Sequence, residues 1–321
     1  MYSRISGTGR YLPDRVMTNF DLEKVVDTTD EWIRTRTGIE RRHIAADGQT
    51  LADLCEGAAR QAMDAAGVGP EDIDLVAIGT LTPDIVPGGM EFRLQQQLGI
   101  PACPAFKLEA ACSGFIYSLS IADKFITGGQ FKCALVVGAE ILSQIIDWDD
   151  RATAVIFGDG AGAAIVQPSD KAGIISTHLR ADGKYWELLY ASYADSEKRH
   201  ERSYDDVFIK MRGNELFKVA VRCLESIVDE TLEANGLDRS EIDWLVPHQA
   251  NIRIIEATAK RLGMSMDKVI LTLQEHGNTS AGSVPMALDV AVRDGRIQRG
   301  DLILLEAFGG GVTWGSALIR F

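Results

Sequence analysis

Four short segments of this 321-residue chain combine a reactive or hydrogen-bonding side chain with glycine or small neighbours. They contain Cys112, His248 in Pro247–Asn251, Asn278 in His276–Gly282, and Gly310 in Phe308–Gly311. A cysteine thiolate is a strong nucleophile, and histidine and amide groups can assist it or stabilise charge that develops on a substrate. The set therefore predicts covalent catalysis by Cys112 with His248 and Asn278 as partners.

Cys112 lies where a short apolar run, starting at Phe106, meets a helical pattern that continues to Gly128. A helix N-terminus presents unpaired N–H groups and a partial positive charge, which favour thiolate over thiol. A field of about 1–2 kcal/mol would lower the pKa of a thiol by about one unit. We therefore expect a lowered pKa at Cys112.

The alternative is that Cys112 is a small buried apolar residue, which is the usual role of a free cysteine. The sequence contains four further cysteines, which we interpret as structural: Cys55, Cys103, Cys133 and Cys223. The odd total of five cysteines and the absence of a Cys-x-x-Cys pair argue against a disulfide framework and a zinc site. We expect no metal.

Short apolar runs alternate with amphipathic helical patterns, which is typical of an α/β fold. The runs that predict buried strands are 74–80, 133–138, 244–246 and 302–305. Helices are predicted to begin at Thr50 and Asn214. The segments that contain Cys112, His248, Asn278 and Gly310 fall at the ends of strands, where α/β sheets assemble their sites.

A break near Gln167–Asp170 divides the chain into two halves of similar size, residues 1–168 with the cysteine and 169–321 with His248 and Asn278. Tyr193–Asp206 is polar and predicts a surface loop. Gly158–Gly162 resembles a dinucleotide fingerprint but precedes a strand pattern, whereas that fingerprint opens a helix. We interpret it as close backbone packing between the halves.

The composition predicts a soluble cytosolic protein. Hydrophobic residues make up 46% and charged residues 25% of the chain, and no apolar run approaches the roughly 18 residues of a membrane span. The N-terminal residues do not form a secretory signal. A net charge of −13 argues against broad binding to nucleic acid.

The motifs, in this order, resemble the β-ketoacyl-acyl carrier protein synthase III family over essentially the whole chain. They are Ile5–Gly9, Asp30–Gly38, Ala110–Gly114, Phe157–Gly162, Pro247–Asn251, His276–Ser280 and Phe308–Gly315. The resemblance implies a thiolase-like fold of two similar stacked halves, with αβαβα layers, and a homodimer.

The resemblance implies a catalytic set of Cys112, His248 and Asn278. A short acyl-CoA, such as acetyl-CoA, would acylate Cys112, and malonyl-acyl carrier protein would then lose CO₂ and attack the thioester. His248 and Asn278 would stabilise the enolate, and the backbone N–H groups of Cys112 and Gly310 would form a second oxyanion hole. The CoA thioester is a substrate, and no permanently bound cofactor is implied.

The family's coenzyme site corresponds to eight residues here: Thr28, Trp32, Arg36, Arg151, Asn214, Phe217, Asn251 and Phe308. Trp32 and Arg151 would stack on the adenine; Trp32 has the alternative of being a core residue. Acyl carrier proteins are acidic, so docking requires a local basic patch, for which we predict Lys218, Arg253, Lys260 and Arg261. An ordinary solvated helix face is the alternative for that patch.

Other condensing enzymes fit less well. A thiolase uses a second cysteine near its C-terminus, and none follows Cys223. Elongating synthases and plant-type polyketide synthases are longer, and the former use two histidines; we interpret His276 as structural. A cysteine hydrolase and an inactive acyl-binding partner remain alternatives from other classes. Val86–Glu91, Lys107 and Glu109 depart from the family pattern and leave the primer length open.

Overall fold

The computed structural model describes residues 1–84, 89–191 and 208–321. The strands are β1 (Tyr2–Tyr11), β2 (Arg15–Thr18), β3 (Arg41–Ile44), β4 (Leu75–Gly79), β5 (Ala105–Leu108), β6 (Ala134–Glu140), β7 (Gly160–Ser169), β8 (Ile174–Ala181), β9 (Leu189–Tyr190), β10 (Lys210–Met211), β11 (Trp244–Pro247), β12 (Leu302–Gly309) and β13 (Thr313–Arg320). The helices are α1 (Asn19–Leu22), α2 (Asp30–Thr37), α3 (Leu51–Ala66), α4 (Met90–Leu98), α5 (Gly114–Thr127), α6 (Arg151–Ala154), α7 (Gly213–Asn235), α8 (Ile252–Leu262), α9 (Leu273–His276) and α10 (Ser283–Arg293).

Two sheets repeat one pattern of strand order and direction. The first has the order β1-β7-β6-β4-β5, and the second has the order β8-β13-β12-β11. In each, the first three strands are antiparallel neighbours and the next pair is parallel. A parallel bridge from Leu245 to Val269 occupies the place in the second sheet that β5 takes in the first. The two halves are therefore alike in topology.

The sheets and helices form five layers. α3 and α4 pack on the outer face of the first sheet, and α7 and α8 pack on the outer face of the second. α5 and α10 lie between the sheets, where Phe115, Leu119 and Leu288 are fully buried together with residues from both sheets. This αβαβα arrangement confirms the predicted fold class.

Local sequence explains where the main helices begin and end. Thr50 caps α3 through a hydrogen bond to the backbone N–H of Asp53, whose carboxylate accepts from Thr50 in return. Gly67 then ends α3 with a φ of +67°, a conformation that suits glycine. The predicted start at Thr50 is confirmed, whereas α7 begins at Gly213, one residue before the predicted Asn214.

The four predicted buried strands are confirmed as β4, β6, β11 and β12. The chain passes from the first sheet to the second between Ser169 and Ile174, and the division after residue 168 stays a prediction. The predicted loop Tyr193–Asp206 lies outside the described residues, as do residues 86–88 of the Val86–Glu91 segment. In the described ranges, none of the helices is both long and apolar enough to cross a membrane.

The glycine-rich segment Gly158–Gly162, which leads into β7, packs closely against the other half. A Cβ atom at Gly162 would lie 2.6 Å from the backbone nitrogen of Met286 in α10, and one at Gly158 would lie 2.6 Å from the carbonyl of His276. Only glycine allows such an approach. This confirms the interpretation of Gly158–Gly162 as backbone packing.

Candidate active site

Cys112 lies in a 3-10 turn, Ala111–Ser113, that connects the segment after β5 to α5. Ala111 has a φ of +45°, which is uncommon for a residue with a side chain and marks a tightly constrained turn. Gly309 at the end of β12 packs against this turn, because a Cβ atom there would lie 2.6 Å from the backbone nitrogen of Cys112. The second half therefore holds the cysteine turn in place through backbone contact.

The pKa of Cys112 differs from the expectation. The residue is only 5% exposed, and burial raises its pKa to about 12, although the Ser280 hydroxyl opposes this as a hydrogen-bond partner. The prediction of a lowered pKa is therefore wrong, because desolvation of the thiolate outweighs the field at the helix start. The thiol needs a proton acceptor in order to react.

A cavity of about 210 Å³ opens onto the Cys112 thiol. Its lining includes Glu109, Phe157, Leu189, Ser280 and Gly310. A Cβ atom at Gly310 would lie 2.8 Å from the carbonyl of Leu189, so a side chain there would disturb the cavity wall. Cys112 and Gly310, the two residues predicted to form an oxyanion hole, thus face one space.

His248 follows β11 and is buried, and its imidazole nitrogen Nδ1 lies 2.6 Å from the hydroxyl of Ser283. The Ser283 hydroxyl accepts a hydrogen bond from the backbone N–H of Gln249 and can at the same time donate its own proton to Nδ1. We therefore assign the proton of the ring to Nε2. Burial lowers the pKa of His248 to about 3, which keeps the ring neutral and a hydrogen-bond donor.

Asn278 is held by the backbone on both sides. Its N–H donates to Ile156 and its carbonyl accepts from Gly158, which ties it to the first half of the chain. Its side-chain oxygen accepts from the backbone N–H of Ser280 at 2.8 Å. This fixes the amide orientation and leaves the Nδ2 group as a donor.

The turn Ser280–Ser283 brings the predicted catalytic residues together. Ser280 contacts the thiol of Cys112 and the side chain of Asn278, and Ser283 contacts His248. Both serines were missed in the sequence analysis. The signal for them was their position: Ser280 lies within the Asn278 motif and Ser283 directly follows Gly282, where a loop enters a helix.

Trp32 on α2 is half-buried, so its ring is neither fully enclosed like a core residue nor fully exposed for stacking on an adenine. The guanidinium group of Arg151 lies 4.8 Å from its ring centroid, and that of Arg36 lies 5.7 Å from it. Arg151 also donates to the carbonyl of Asp27. The hydroxyl of Thr28 is buried without a hydrogen-bond partner in the described part of the chain. These four predicted coenzyme residues thus form one cluster.

The other predicted coenzyme residues lie around the starts of α7 and α8. Asn251 caps α8 by accepting from the N–H of Arg253, and it donates to the carbonyl of Arg36, which links α8 to α2. Asn214 is exposed in the first turn of α7, Phe217 is half-buried, and Phe308 is buried against α7. The polar atoms of Asn251 are thus partly engaged already.

The predicted basic patch is exposed on α7 and α8. Arg253 lies 5.5 Å from the ring centroid of Phe217. Arg261 pairs with Asp229, which also binds Arg239 at 2.8 Å. The Asp229 carboxylate, which is shared by two guanidinium groups, therefore offsets part of the charge of Arg261. In the described ranges, Lys218, Arg253 and Lys260 have no such ion pair, so these three carry the positive charge of the patch.

Lys107 and Glu91, which both depart from the family pattern, form an ion pair with each other. The ammonium group of Lys107 lies 3.1 Å from both carboxylate oxygens of Glu91, which is buried in the first turn of α4. A buried carboxylate with a cation in this geometry is paired rather than isolated. Lys107 and Glu91 therefore form a matched pair between β5 and α4, whereas Glu109 lines the cavity.

The remaining predictions concern residues without an assigned chemical role. Cys55, Cys133 and Cys223 are buried and Cys103 is half-buried, and burial raises the pKa of each. The ring of His276 packs edge-on against His43, with centroids 6.3 Å apart, which agrees with a structural role. The described residues contain no group of three or more His, Cys, Asp or Glu side chains arranged to hold a metal ion.

The five-layer fold, with a cysteine turn at the start of its central helix, defines an enzyme of the thiolase-like class. Residues 106–183 match the family described as 3-Oxoacyl-[acyl-carrier-protein (ACP)] synthase III, and residues 232–321 match the C-terminal part of that family. A curated relative from Thioalkalivibrio sulfidiphilus (strain HL-EbGR7), a beta-ketoacyl-[acyl-carrier-protein] synthase III, is 58% identical over 320 residues, 100% of this chain and 99% of its own length. The chain belongs to the β-ketoacyl-acyl carrier protein synthase III family.

Solved structures agree with this assignment. The 3-oxoacyl-[acyl-carrier-protein] synthase III from Aquifex aeolicus VF5 is 47% identical, with a TM-score of 0.94 over 99% of this chain and 100% of its own. A priming β-ketosynthase from the R1128 polyketide biosynthetic pathway is 37% identical, with a TM-score of 0.94 over 99% of this chain and 96% of its own. The fold is thus shared with enzymes of more than one biosynthetic context.

Proposed function

We propose that this enzyme starts fatty acid synthesis by condensing a short acyl-CoA, such as acetyl-CoA, with malonyl-acyl carrier protein. The acyl group first moves from CoA to the sulfur of Cys112. The carrier-bound malonyl group then loses CO₂, and the resulting carbanion attacks the thioester to give a β-ketoacyl product. The observation that supports this most directly is the turn Ser280–Ser283, which contacts Cys112, His248 and Asn278 together.

Two hydrogen-bond donors suit the decarboxylation step. Loss of CO₂ builds negative charge on the thioester oxygen, and a preoriented donor aimed at it is worth about 3–4 kcal/mol. The Nε2–H of His248 and the Nδ2–H of Asn278 are such donors, since hydrogen bonds fix the other polar atom of each side chain. A neutral histidine also does not acquire a charge near neutral pH.

A second oxyanion hole would serve the acyl-enzyme. Cys112 and Gly310 border one cavity, where their backbone N–H groups would bind the thioester oxygen during attack by carbon. The volume of about 210 Å³ suits a short acyl chain.

The coenzyme would bind across α2, α6, α7 and α8. The Trp32 ring and the Arg151 guanidinium would hold the adenine between them, which requires Arg151 to move from its present contact with the ring. The unpaired hydroxyl of Thr28 and the cation of Arg36 would bind ribose and phosphate. Asn214, Asn251, Phe217 and Phe308 would line the path of the pantetheine arm.

We also propose a cytoplasmic homodimer without a resident cofactor. In the described residues, β5 pairs only with β4 and so forms a sheet edge. On the neighbouring α4, Phe92 is 50% exposed, an apolar side chain that a second subunit could cover. Analytical ultracentrifugation tests this directly: a dimer of about twice 35.0 kDa is expected, and a monomer at micromolar concentration would contradict it.

Incubation of the enzyme with labelled acetyl-CoA and malonyl-acyl carrier protein separates the candidate functions. The proposal predicts acetoacetyl-acyl carrier protein. Free acetate would indicate a cysteine hydrolase, and the absence of any product would indicate an inactive acyl-binding protein. A series of acyl-CoA primers of increasing length in the same assay determines the primer preference, with the Cys112→Ala enzyme as the blank.

A further inference from the structure

Glu109 is the one charged residue among those of the described ranges that line the Cys112 cavity. It follows β5, three positions before the nucleophile, and it is exposed. Most of the other lining residues are apolar, among them Leu142, Phe157 and Leu189. A carboxylate therefore borders an otherwise largely apolar space that opens onto the thiol.

In the described part of the chain, no cation offsets the charge of Glu109 through an ion pair. Lys107 is the nearest basic residue along the chain, and its ammonium group lies 3.1 Å from both carboxylate oxygens of Glu91. The hydroxyl of Ser280, which also lines the cavity, donates to the carboxylate of Glu140 at 3.2 Å. An anion that enters the cavity therefore meets a negative charge and no cation among the described lining residues.

The carboxylate of Glu109 acts on any charge that a bound acyl group brings into the cavity. Like charges that share a site disfavour one another, and an apolar lining screens them less than bulk water does. A cavity of about 210 Å³ is narrower than the Debye length of about 10 Å at 0.1 M salt. Ordinary ionic strength therefore leaves much of the repulsion in place.

We propose that Glu109 excludes from the Cys112 cavity acyl groups that end in a carboxylate. In the proposed function, on which this role rests, both substrates are thioesters, and only the malonyl group carries a free carboxylate. The acyl group on Cys112 must serve as the electrophile, whereas the malonyl group supplies the carbanion. A malonyl group on the sulfur would occupy the place of the primer, so repulsion by Glu109 keeps the two substrates apart.

Alkylation of Cys112 tests this charge preference without any acyl substrate. Iodoacetate and iodoacetamide are nearly equal in shape and react with the same thiolate, so the ionised fraction of the thiol cancels from the ratio of their rates. Peptide mapping reports each rate at Cys112 alone. Glu109→Gln should raise the rate of iodoacetate relative to that of iodoacetamide by about five- to tenfold at low salt, and Glu109→Lys should raise it further.

Glu187→Gln is the matched control, because Glu187 is also exposed but is not among the residues that line the cavity. The net charge of −13 repels every anion, and this change removes one charge without altering the cavity. The ratio of the two rates should equal that of the wild type. An unchanged ratio in Glu109→Gln, or the same increase in Glu187→Gln, would overturn the proposal.

The salt dependence of the wild-type enzyme gives a test that needs no substitution to fold. The Debye length falls from about 30 Å at 0.01 M salt to about 3 Å at 1 M, so the ratio of iodoacetate to iodoacetamide rates should rise over this range. Glu109→Gln should show a smaller rise. A wild-type ratio that does not depend on salt would also overturn the proposal.

Succinyl-CoA and butyryl-CoA extend the test to acyl transfer. The two acyl groups share a four-carbon frame and the same coenzyme, so the contacts of the coenzyme cancel. Glu109→Gln should raise the rate of succinyl transfer to Cys112 relative to butyryl transfer by about tenfold, as measured by intact mass. If neither acyl-CoA labels Cys112 while the alkylation ratio shifts, the proposed function fails and the role of Glu109 stands. If both label it and neither ratio shifts, only the role of Glu109 fails.

Discussion

The hydroxyl of Ser283 lies 2.6 Å from Nδ1 of His248, so a residue at the start of α10 sets which nitrogen of the imidazole carries the proton. His248 itself belongs to the loop after β11, in a different element of the same half. Because the hydrogen bond also orients the ring, it can influence the reaction without touching the substrate.

Replacement of Ser283 by alanine should therefore slow decarboxylation and spare acylation. Loss of one buried hydrogen bond of about 1–1.5 kcal/mol corresponds to a fall of about tenfold in CO₂ release from labelled malonyl-acyl carrier protein. Acetyl transfer to Cys112, measured by intact mass, should be unchanged. An equal loss in both half-reactions would show that Ser283 supports the fold rather than the orientation of His248.

Asn278→Ala should separate the two half-reactions more strongly. The enzyme should still acquire an acetyl group from acetyl-CoA, while malonyl decarboxylation falls by about 10²–10³-fold, since a preoriented donor to the enolate oxygen is removed. Both rates can be followed in single-turnover experiments. Loss of acylation with decarboxylation intact would reverse the role proposed for Asn278.

Cys112 should be the acylated residue. After incubation with acetyl-CoA, one acetyl group is expected on the intact protein, and peptide mapping should locate it at Cys112. The four other cysteines serve as internal controls, because they too are largely buried but do not line the cavity. Label on Cys55 or Cys223, or label that survives Cys112→Ala, would refute the assignment.

The lowered pKa of His248 predicts how the decarboxylation step responds to pH. Its ordinary value is 6.5 and burial lowers it to about 3, so imidazolium forms only in strong acid. CO₂ release by enzyme that is already acetylated should therefore show no inflection near 6.5 between pH 8 and 5. Because the unfolded chain binds this proton near pH 6.5 and the folded chain binds it only near pH 3, the fold loses stability as the pH falls from 6.5 towards 3. A drop in CO₂ release centred at 6.5 would mean that the ring is solvated.

Substitutions at Arg253 and Arg261 can be compared to test whether the predicted basic patch binds the acyl carrier protein. Both are exposed on α8, but only Arg261 is offset by Asp229. Arg253→Ala should raise KM for malonyl-acyl carrier protein by about five- to tenfold, with less effect at high salt, while Arg261→Ala should change it little. Steady-state assays at two salt concentrations measure this, with acetyl-CoA acylation as the reference. Equal, salt-independent effects of both changes would argue against carrier docking on this face.

The sequence predicted the fold class and the buried strands better than the environment of the proposed site residues. Alternating apolar runs located β4, β6, β11 and β12, because buried strands depend on local composition. The pKa of Cys112 could not be predicted in this way. It depends on desolvation by elements distant in sequence, including β12, whose Gly309 packs on the cysteine turn. Local sequence reports the field of a helix start but not the burial that outweighs it.

Contacts between residues that are far apart along the chain could likewise not be predicted from the sequence. Lys107 and Glu91 were each recognised as departures, but their pairing across 16 positions depends on how α4 packs on β5. Glu140 was not singled out at all, since a polar residue at the end of a strand is ordinary in sequence. Its carboxylate accepts a hydrogen bond from Ser280, which is 140 positions away along the chain.

The layer of α5 and α10 between the two sheets has a thermodynamic consequence. Its apolar residues pack against both sheets at once, so neither half encloses a core of its own on that side. Separating the halves would expose this surface to water at a cost of about 25 cal/mol for each Å². Melting of one half would thus withdraw support from the other, and we expect the two halves to unfold together rather than as independent modules.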